Sequence, residues 1–199
     1  MPNVERTMEN LEKRGFRVSR FPDRAVAVQY LLDEIGDRGV GIGGSVTVDE
    51  IGIYDRLAAR GDSKVFWHWE QEDSVVTEAA TTSVYLMSAN GISESGQIVN
   101  IDGRSNRVSS MCFGHERVYV IIGVNKIAAT DEMAHWRAQN IAAPKNARRM
   151  NKETPCATGE LVCHNCDDPG RICKTFVTLE RKPGIPHFEV VIIDEALGF

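Results

Sequence analysis

The sequence predicts an α/β fold, an open and mostly parallel sheet with helices on both faces. Three observations carry that expectation. Apolar runs of strand length recur along the chain, segments of helical period separate them, and glycine or proline marks most of the junctions. The runs at 40–42 and 118–124 lack any polar alternation, as strands buried on both faces do.

Val4, Met8 and Leu11 recur at helical spacing in a segment that closes at Gly15, and a strand follows over 16–21. A second helix starts at Asp23, carries Val26, Ala27, Tyr30, Leu31 and Ile35 on one side, and ends at Gly36. After the buried strand at 40–42, Thr47-Val48-Asp49-Glu50 reads as a capping box opening a third helix that runs to about Gly61. A strand over 64–69, the end of a short helix at 77–82 and a strand over 83–87 continue the alternation. Strands then come in quick succession at 97–101 and 118–124, so antiparallel strands at one edge of the sheet are compatible with the pattern. Thr130 caps a helix carrying Met133, Trp136 and Ile141, and Pro144 marks its end or a kink. Strands over 175–179 and 188–193 flank the turn-rich segment 181–186.

A chain of 199 residues fits one domain, 1–199, with a cysteine-rich loop at 155–174 inside it. Such a domain buries about 70% of its unfolded surface and needs no disulfides for stability. The net charge of −5 argues against a general binder of nucleic acid or anionic membranes, which needs a basic footprint. The cluster Lys145, Arg148, Arg149 and Lys152 is a local exception, read first as a solvated helix end and second as an anion or partner site. No apolar run approaches the roughly 20 residues of a membrane span, and the first 15 residues are charged rather than signal-like, so a reducing cytoplasmic location is expected.

Cys156, Cys163, Cys166 and Cys173 form the pattern C-x6-C-x2-C-x6-C. Thiolates are soft anionic ligands, and four of them complete a tetrahedral zinc or a four-iron cluster. Pro155, Gly159, Asn165, Pro169 and Gly170 are residue types that let a loop fold around an ion. Zinc ribbons usually offer two C-x2-C knuckles and this chain has one, so an iron–sulfur cluster, four-iron in type, is favoured over zinc. A redox dithiol and buried structural thiols are the rival readings, and His164 is an alternative ligand. Cys112 stands apart as a small buried residue near a strand.

The run Gly39-Val40-Gly41-Ile42-Gly43-Gly44-Ser45 leaves a buried strand and enters a helix. Glycines let backbone approach an anion, and helix amides attract one, so Gly43, Gly44 and Ser45 are candidate ligand-binding residues. The loop has neither the P-loop signature nor the dinucleotide fingerprint, and a merely tight turn explains it equally well. Asn106 and Arg107 lie in a polar loop where an arginine can clamp a carboxylate or phosphate, although single loop arginines are commonly surface charges. Glu94, between Ser93 and Ser95, is a candidate acid, base or nucleophile, set against an ordinary turn glutamate. His68, His115, His135 and His187 show no ligand spacing.

The segments Gly41-Ile42-Gly43-Gly44-Ser45, 89–96 and 118–127 together resemble the LUD, or lactate-utilization, domain family, and 142–147 with the cysteine segment is similar to a cysteine-bearing branch of it. The resemblance spans nearly the whole chain. It implies a fold like that of ribose-phosphate isomerases, glucosamine-phosphate deaminases and CoA transferases, with a glycine loop that receives phosphate or CoA-like groups. The turn at Glu94 is similar to the glutamate region of CoA transferases. The family is associated with oxidation of L-lactate to pyruvate, and some members carry ferredoxin-type cluster domains, a context that favours an iron–sulfur role for the four thiols.

The expectation is therefore a redox-associated protein that binds a cluster and assists oxidation of lactate or a related hydroxy acid. Its partners would be a small anionic metabolite and redox proteins, with self-association common for this kind of fold. The rivals are a regulatory module that senses an anionic metabolite around a structural zinc, and a small transferase or isomerase using Glu94.

Overall fold

A computed structural model describes residues 3–199. In chain order the elements are α1 (Val4–Lys13), β1 (Arg17–Phe21), α2 (Arg24–Ile35), β2 (Val40–Ile42), α3 (Val46–Glu50), α4 (Ile53–Arg60), β3 (Val65–Phe66), α5 (Val75–Ala79), β4 (Val84–Met87), β5 (Gly91–Ser93), β6 (Ile98–Asp102) and α6 (Asn106–Cys112). There follow β7 (Arg117–Gly123), β8 (Ile127–Ala128), α7 (Asp131–Arg137), α8 (Ala143–Arg149), α9 (Pro155–Thr158), β9 (Thr175–Leu179) and β10 (His187–Ile193).

Six strands form a fully parallel sheet in the order β1-β10-β7-β4-β2-β3. Alternate residues of its central strands feed two different cores. Tyr85, Met87, Val120, Ile122 and Val190 face α1 and α6, whereas Val84, Leu86, Tyr119, Ile121 and Val191 face α2 and α4. This two-sided burial accounts for the uninterrupted apolar runs.

Antiparallel strands were expected at an edge of this sheet; they form a separate one instead. The order β8-β5-β6-β9 makes a second, mixed sheet, with β6 antiparallel to both β5 and β9. It closes the core on the α1 side, and Ala134 of α7 with Ala138 just after it packs on the other face against Val99 and Ile101. The segment 90–96, where Glu94 could have been an ordinary turn residue, contains β5; Gly91 is needed there because a Cβ would lie 2.6 Å from the Ala134 carbonyl oxygen.

Other local expectations are corrected. The helix after the glycine loop breaks at Ile51–Gly52, with Gly52 in the left-handed region. Its cap is Ser45, whose hydroxyl accepts from the Val48 amide, because Thr47 and Glu50 bond instead to the Leu197 carbonyl and the Gly198 amide. The strand expected over 64–69 is confined to two residues. Pro144 does not end the helix: residues 131–149 run on through a π-helical stretch, Ala138–Ala142, and this wider turn accommodates a proline that has no amide to give. Cys112 closes α6, half-buried against the core that β4 and β6 line rather than fully buried, and burial raises its thiol pKa.

Gly41 lies in the centre of β2 beneath α5, where a Cβ would stand 2.2 Å from the Ala79 carbonyl oxygen. Neither backbone can retreat, since both belong to packed elements. Gly41→Ala is expected to destabilise the protein by about 1–3 kcal/mol, seen as a lower urea midpoint with an unchanged slope.

Candidate functional site

Ligand crevices in open parallel sheets lie at the carboxyl ends of strands where neighbouring connections diverge. Here that point falls between β2 and β4. The chain leaving β2 crosses to β3 on one side, and the chain leaving β4 returns as β7 on the other. The glycine loop follows β2, Ser88 and Ala89 follow β4, and Lys126 follows β7.

The loop is tightly enclosed by side chains. A Cβ on Gly43 would lie 2.7 Å from Cγ of Arg107 and 3.0 Å from the Tyr85 hydroxyl. One on Gly44 would meet Trp69 Nε1 at 3.0 Å and His68 Cε1 at 3.2 Å. Arg107, Gly43, Gly44 and Ser45, which the sequence separates by some sixty residues, are thus brought together. Asn106 approaches the Tyr85 hydroxyl with Ser110, and burial pushes that phenol up to about 12. The α3 helix behind the loop has only five residues, so the cationic side chains, rather than a long helix dipole, set the local field.

Asp102 organises this wall. Its carboxylate accepts hydrogen bonds from the amides of Arg104, Ser105, Arg107 and Val108 at 3.0–3.3 Å and pairs with Arg107 at 3.4 Å. Arg107 also donates to the Ile101 carbonyl at 2.7 Å, so its guanidinium is held beside the glycine loop. Asp102 was not among the expected site residues, although Asp-Gly-x-Ser before a helix is a recognisable side-chain turn and cap signal.

His68 and Trp69 also escape sequence reasoning, whereas Arg149 belongs to the basic cluster whose second reading is an anion or partner site. Arg149 stacks 4.4 Å from the Trp69 ring centroid, and Trp69 stacks on Trp67. Burial, then Arg104, Arg107 and Arg149, holds His68 below the usual histidine value against the pull of Asp73.

Lys126 is 3% exposed, and no carboxylate pairs with it among the described residues. Its ammonium donates to Ser88 Oγ at 2.9 Å and the Ala89 carbonyl at 3.1 Å, with Arg137 and Arg107 nearby. Burial first, and those two cations second, lower its pKa well below 10.5. Burial likewise lowers Arg137 to about 10.

Cys156, Cys163, Cys166 and Cys173, all free and half-buried, line one pocket on the far side of α8. The π-helical stretch aims two side chains at it: Gln139 donates to Cys163 Sγ at 3.4 Å, and Asn140 accepts from the Cys163 amide at 3.2 Å. The Asn165 amide donates to the same sulfur at 3.3 Å, and Arg171 ties the carbonyls of Cys166 and Cys173 together. Among the described residues, no three His, Cys, Asp or Glu side chains stand close enough to hold a single metal ion.

The two regions share a frame. Ala143, Pro144 and Ala147 of α8 line the thiol pocket, while Arg149 at the end of the same helix covers Trp69 beside the glycine loop. The Lys174 amide donates to the Asp102 carbonyl at 3.0 Å, and a Cβ on Gly103 would lie 2.9 Å from the Ile172 carbonyl oxygen. The cysteine loop therefore leans directly on the turn that carries Arg107.

Glu94 is placed elsewhere. Its carboxylate accepts from the Asn3 amide at 2.9 Å and faces Arg6 at 3.7 Å, which anchors the start of α1. Ser93 and Ser95 bond to each other, and Ser95 donates to Asp131 of α7. None of these contacts involves the glycine loop.

The fold and its crevice define a parallel-sheet α/β protein that presents a glycine loop and a separate thiol pocket. The chain matches the LUD domain over residues 4–193, and it belongs to the LUD domain family, which is associated broadly with lactate utilization. Its fold is similar to that in the crystal structure of a DUF162 family protein from Deinococcus radiodurans, with a TM-score of 0.55 and 10% identity over 96% of this chain and 95% of that one. No curated protein matches the chain.

The lowered Lys126 pKa gives a signed expectation. The unfolded chain binds this proton more readily, so the lysine penalises the native state below about pH 10.5, and stability rises with pH from the folded pKa to that value. Lys126→Met should raise the urea midpoint at pH 7, and its advantage over the wild type should shrink between pH 7 and pH 10.

Proposed function

We propose that the protein is a redox-associated LUD-domain protein that binds an iron–sulfur cluster through Cys156, Cys163, Cys166 and Cys173 and assists oxidation of lactate or a related small hydroxy acid. The observation that carries this reading is the convergence of all four thiols on one pocket. The single C-x2-C knuckle, where zinc ribbons usually offer two, favours the cluster over zinc.

When bound, such a cluster supplies one-electron transfer. The chain's own residues shape what surrounds it. Gln139 and the Asn165 amide donate to the Cys163 sulfur and would tune the group it holds. Arg171 keeps the two halves of the loop in register around the pocket. At the crevice, Gly43, Gly44, Ser45, Asn106 and Arg107 would receive the anionic end of the ligand, with Arg107 oriented by Asp102. The α8 helix would link the two, since Ala143, Pro144 and Ala147 line the thiol pocket and Arg149 covers Trp69.

Metal and acid-labile sulfide analysis of anaerobically purified protein tests the reading. About four irons and four sulfides per chain are expected. Cys163→Ser should lose most of that iron and open the 155–174 loop to proteolysis, while the far-ultraviolet circular dichroism is retained because the parallel sheet does not depend on the loop. One zinc per chain without sulfide would instead make the thiols a structural staple.

A further inference from the structure

We propose that His68 and Arg149 complete, with Gly44, Ser45 and Arg107, a subsite for a dianionic phosphoryl group, so that the hydroxy acid taken here is a phosphate monoester rather than lactate itself; this rests on the glycine loop being an anion site. Three observations converge on it. Ser45 is buried, and neither its amide nor that of Gly44 donates a hydrogen bond to any acceptor among the described residues, so two adjacent amides await a partner. The His68 ring stands over Gly44, with Nε2 3.3 Å from where a Cβ would be. Arg107 flanks Gly43, and Arg149 lies across the Trp69 ring that also touches Gly44.

The charge balance at this spot is one-sided. The groups acting on His68 are Arg104, Arg107, Arg149 and Asp73. Asp73 is paired with Arg104 at 2.6 Å, and the Asp102 carboxylate is shared among four amides and Arg107. Arg149 donates to the Asn146 amide oxygen and lies on the Trp69 face, with the Asp49 carboxylate as the one acidic group acting on it. Two amides, two guanidiniums and an imidazole match the several acceptor oxygens of a phosphoryl group better than the two of a monocarboxylate. A neutral His68, surrounded by arginines, gains a proton when a dianion arrives, because the new charge opposes theirs.

Sulfate is the probe of choice, because it is a dianion that does not itself titrate across the range. Binding to the full chain, measured by calorimetry, should strengthen about tenfold from pH 8 to pH 6 as His68 takes up a proton. His68→Gln should abolish that pH dependence, and Arg149→Gln should weaken binding about tenfold at either pH. sn-Glycerol 3-phosphate should displace sulfate and L-lactate should not. A wild-type pH profile in His68→Gln, unchanged affinity in Arg149→Gln, or displacement by L-lactate alone would overturn the proposal. If binding is lost in Arg107→Gln yet indifferent to His68 and Arg149, this subsite is wrong and the glycine-loop reading stands. If the wild type binds no sulfate, both fall.

Discussion

The junction between the two candidate sites depends on one carboxylate. Asp102, at the end of β6, is almost fully buried and accepts from the amides of Arg104, Ser105, Arg107 and Val108 as the chain turns into α6. That turn forces Ser105 into the left-handed region, a conformation of moderate cost that the four bonds offset. It also fixes where Arg107 leaves the backbone, and thus which side chain faces the glycine loop. The Asp102 carbonyl meanwhile receives the Lys174 amide just past the last cysteine. One residue therefore sets the wall beside the glycine loop on one side and anchors the thiol loop on the other.

Helix 131–149 supplies the second tie. A straight α-helix could not carry Pro144 without losing a hydrogen bond and colliding with the preceding turn. The π-helical stretch before it relieves that conflict and turns Gln139 and Asn140 toward Cys163, while Arg149 emerges at the other end over Trp69. A wider turn that first reads as an accommodation of proline is also what puts two amide side chains on the thiol pocket.

The main sheet was legible because its information is local. Strands such as β7 and β10 are continuous apolar runs, and their burial on both faces leaves little alternative. The second sheet was not, since β5 and β8 are two or three residues long and take their identity from partners distant in sequence. Thr47 and Glu50 mislead in the same way: the capping-box spacing is present, but tertiary bonds to residues 197–198 claim both side chains. At the site, the cysteines and glycines were visible as patterns, whereas His68, Trp69, Arg149 and the buried Lys126 carry no spacing signal and meet only when the strands are ordered. Glu94 shows the converse case, a suggestive local motif whose carboxylate is engaged in holding α1.

The central claim is that the thiol pocket and the crevice form one mechanical unit through Asp102 and α8. Hydrogen–deuterium exchange on the anaerobic protein, before and after reconstitution with iron and sulfide, tests it most directly. The account predicts added protection in the 155–174 loop together with 102–108 and 143–149. Protection confined to the cysteine loop, with those two segments unchanged, would contradict it.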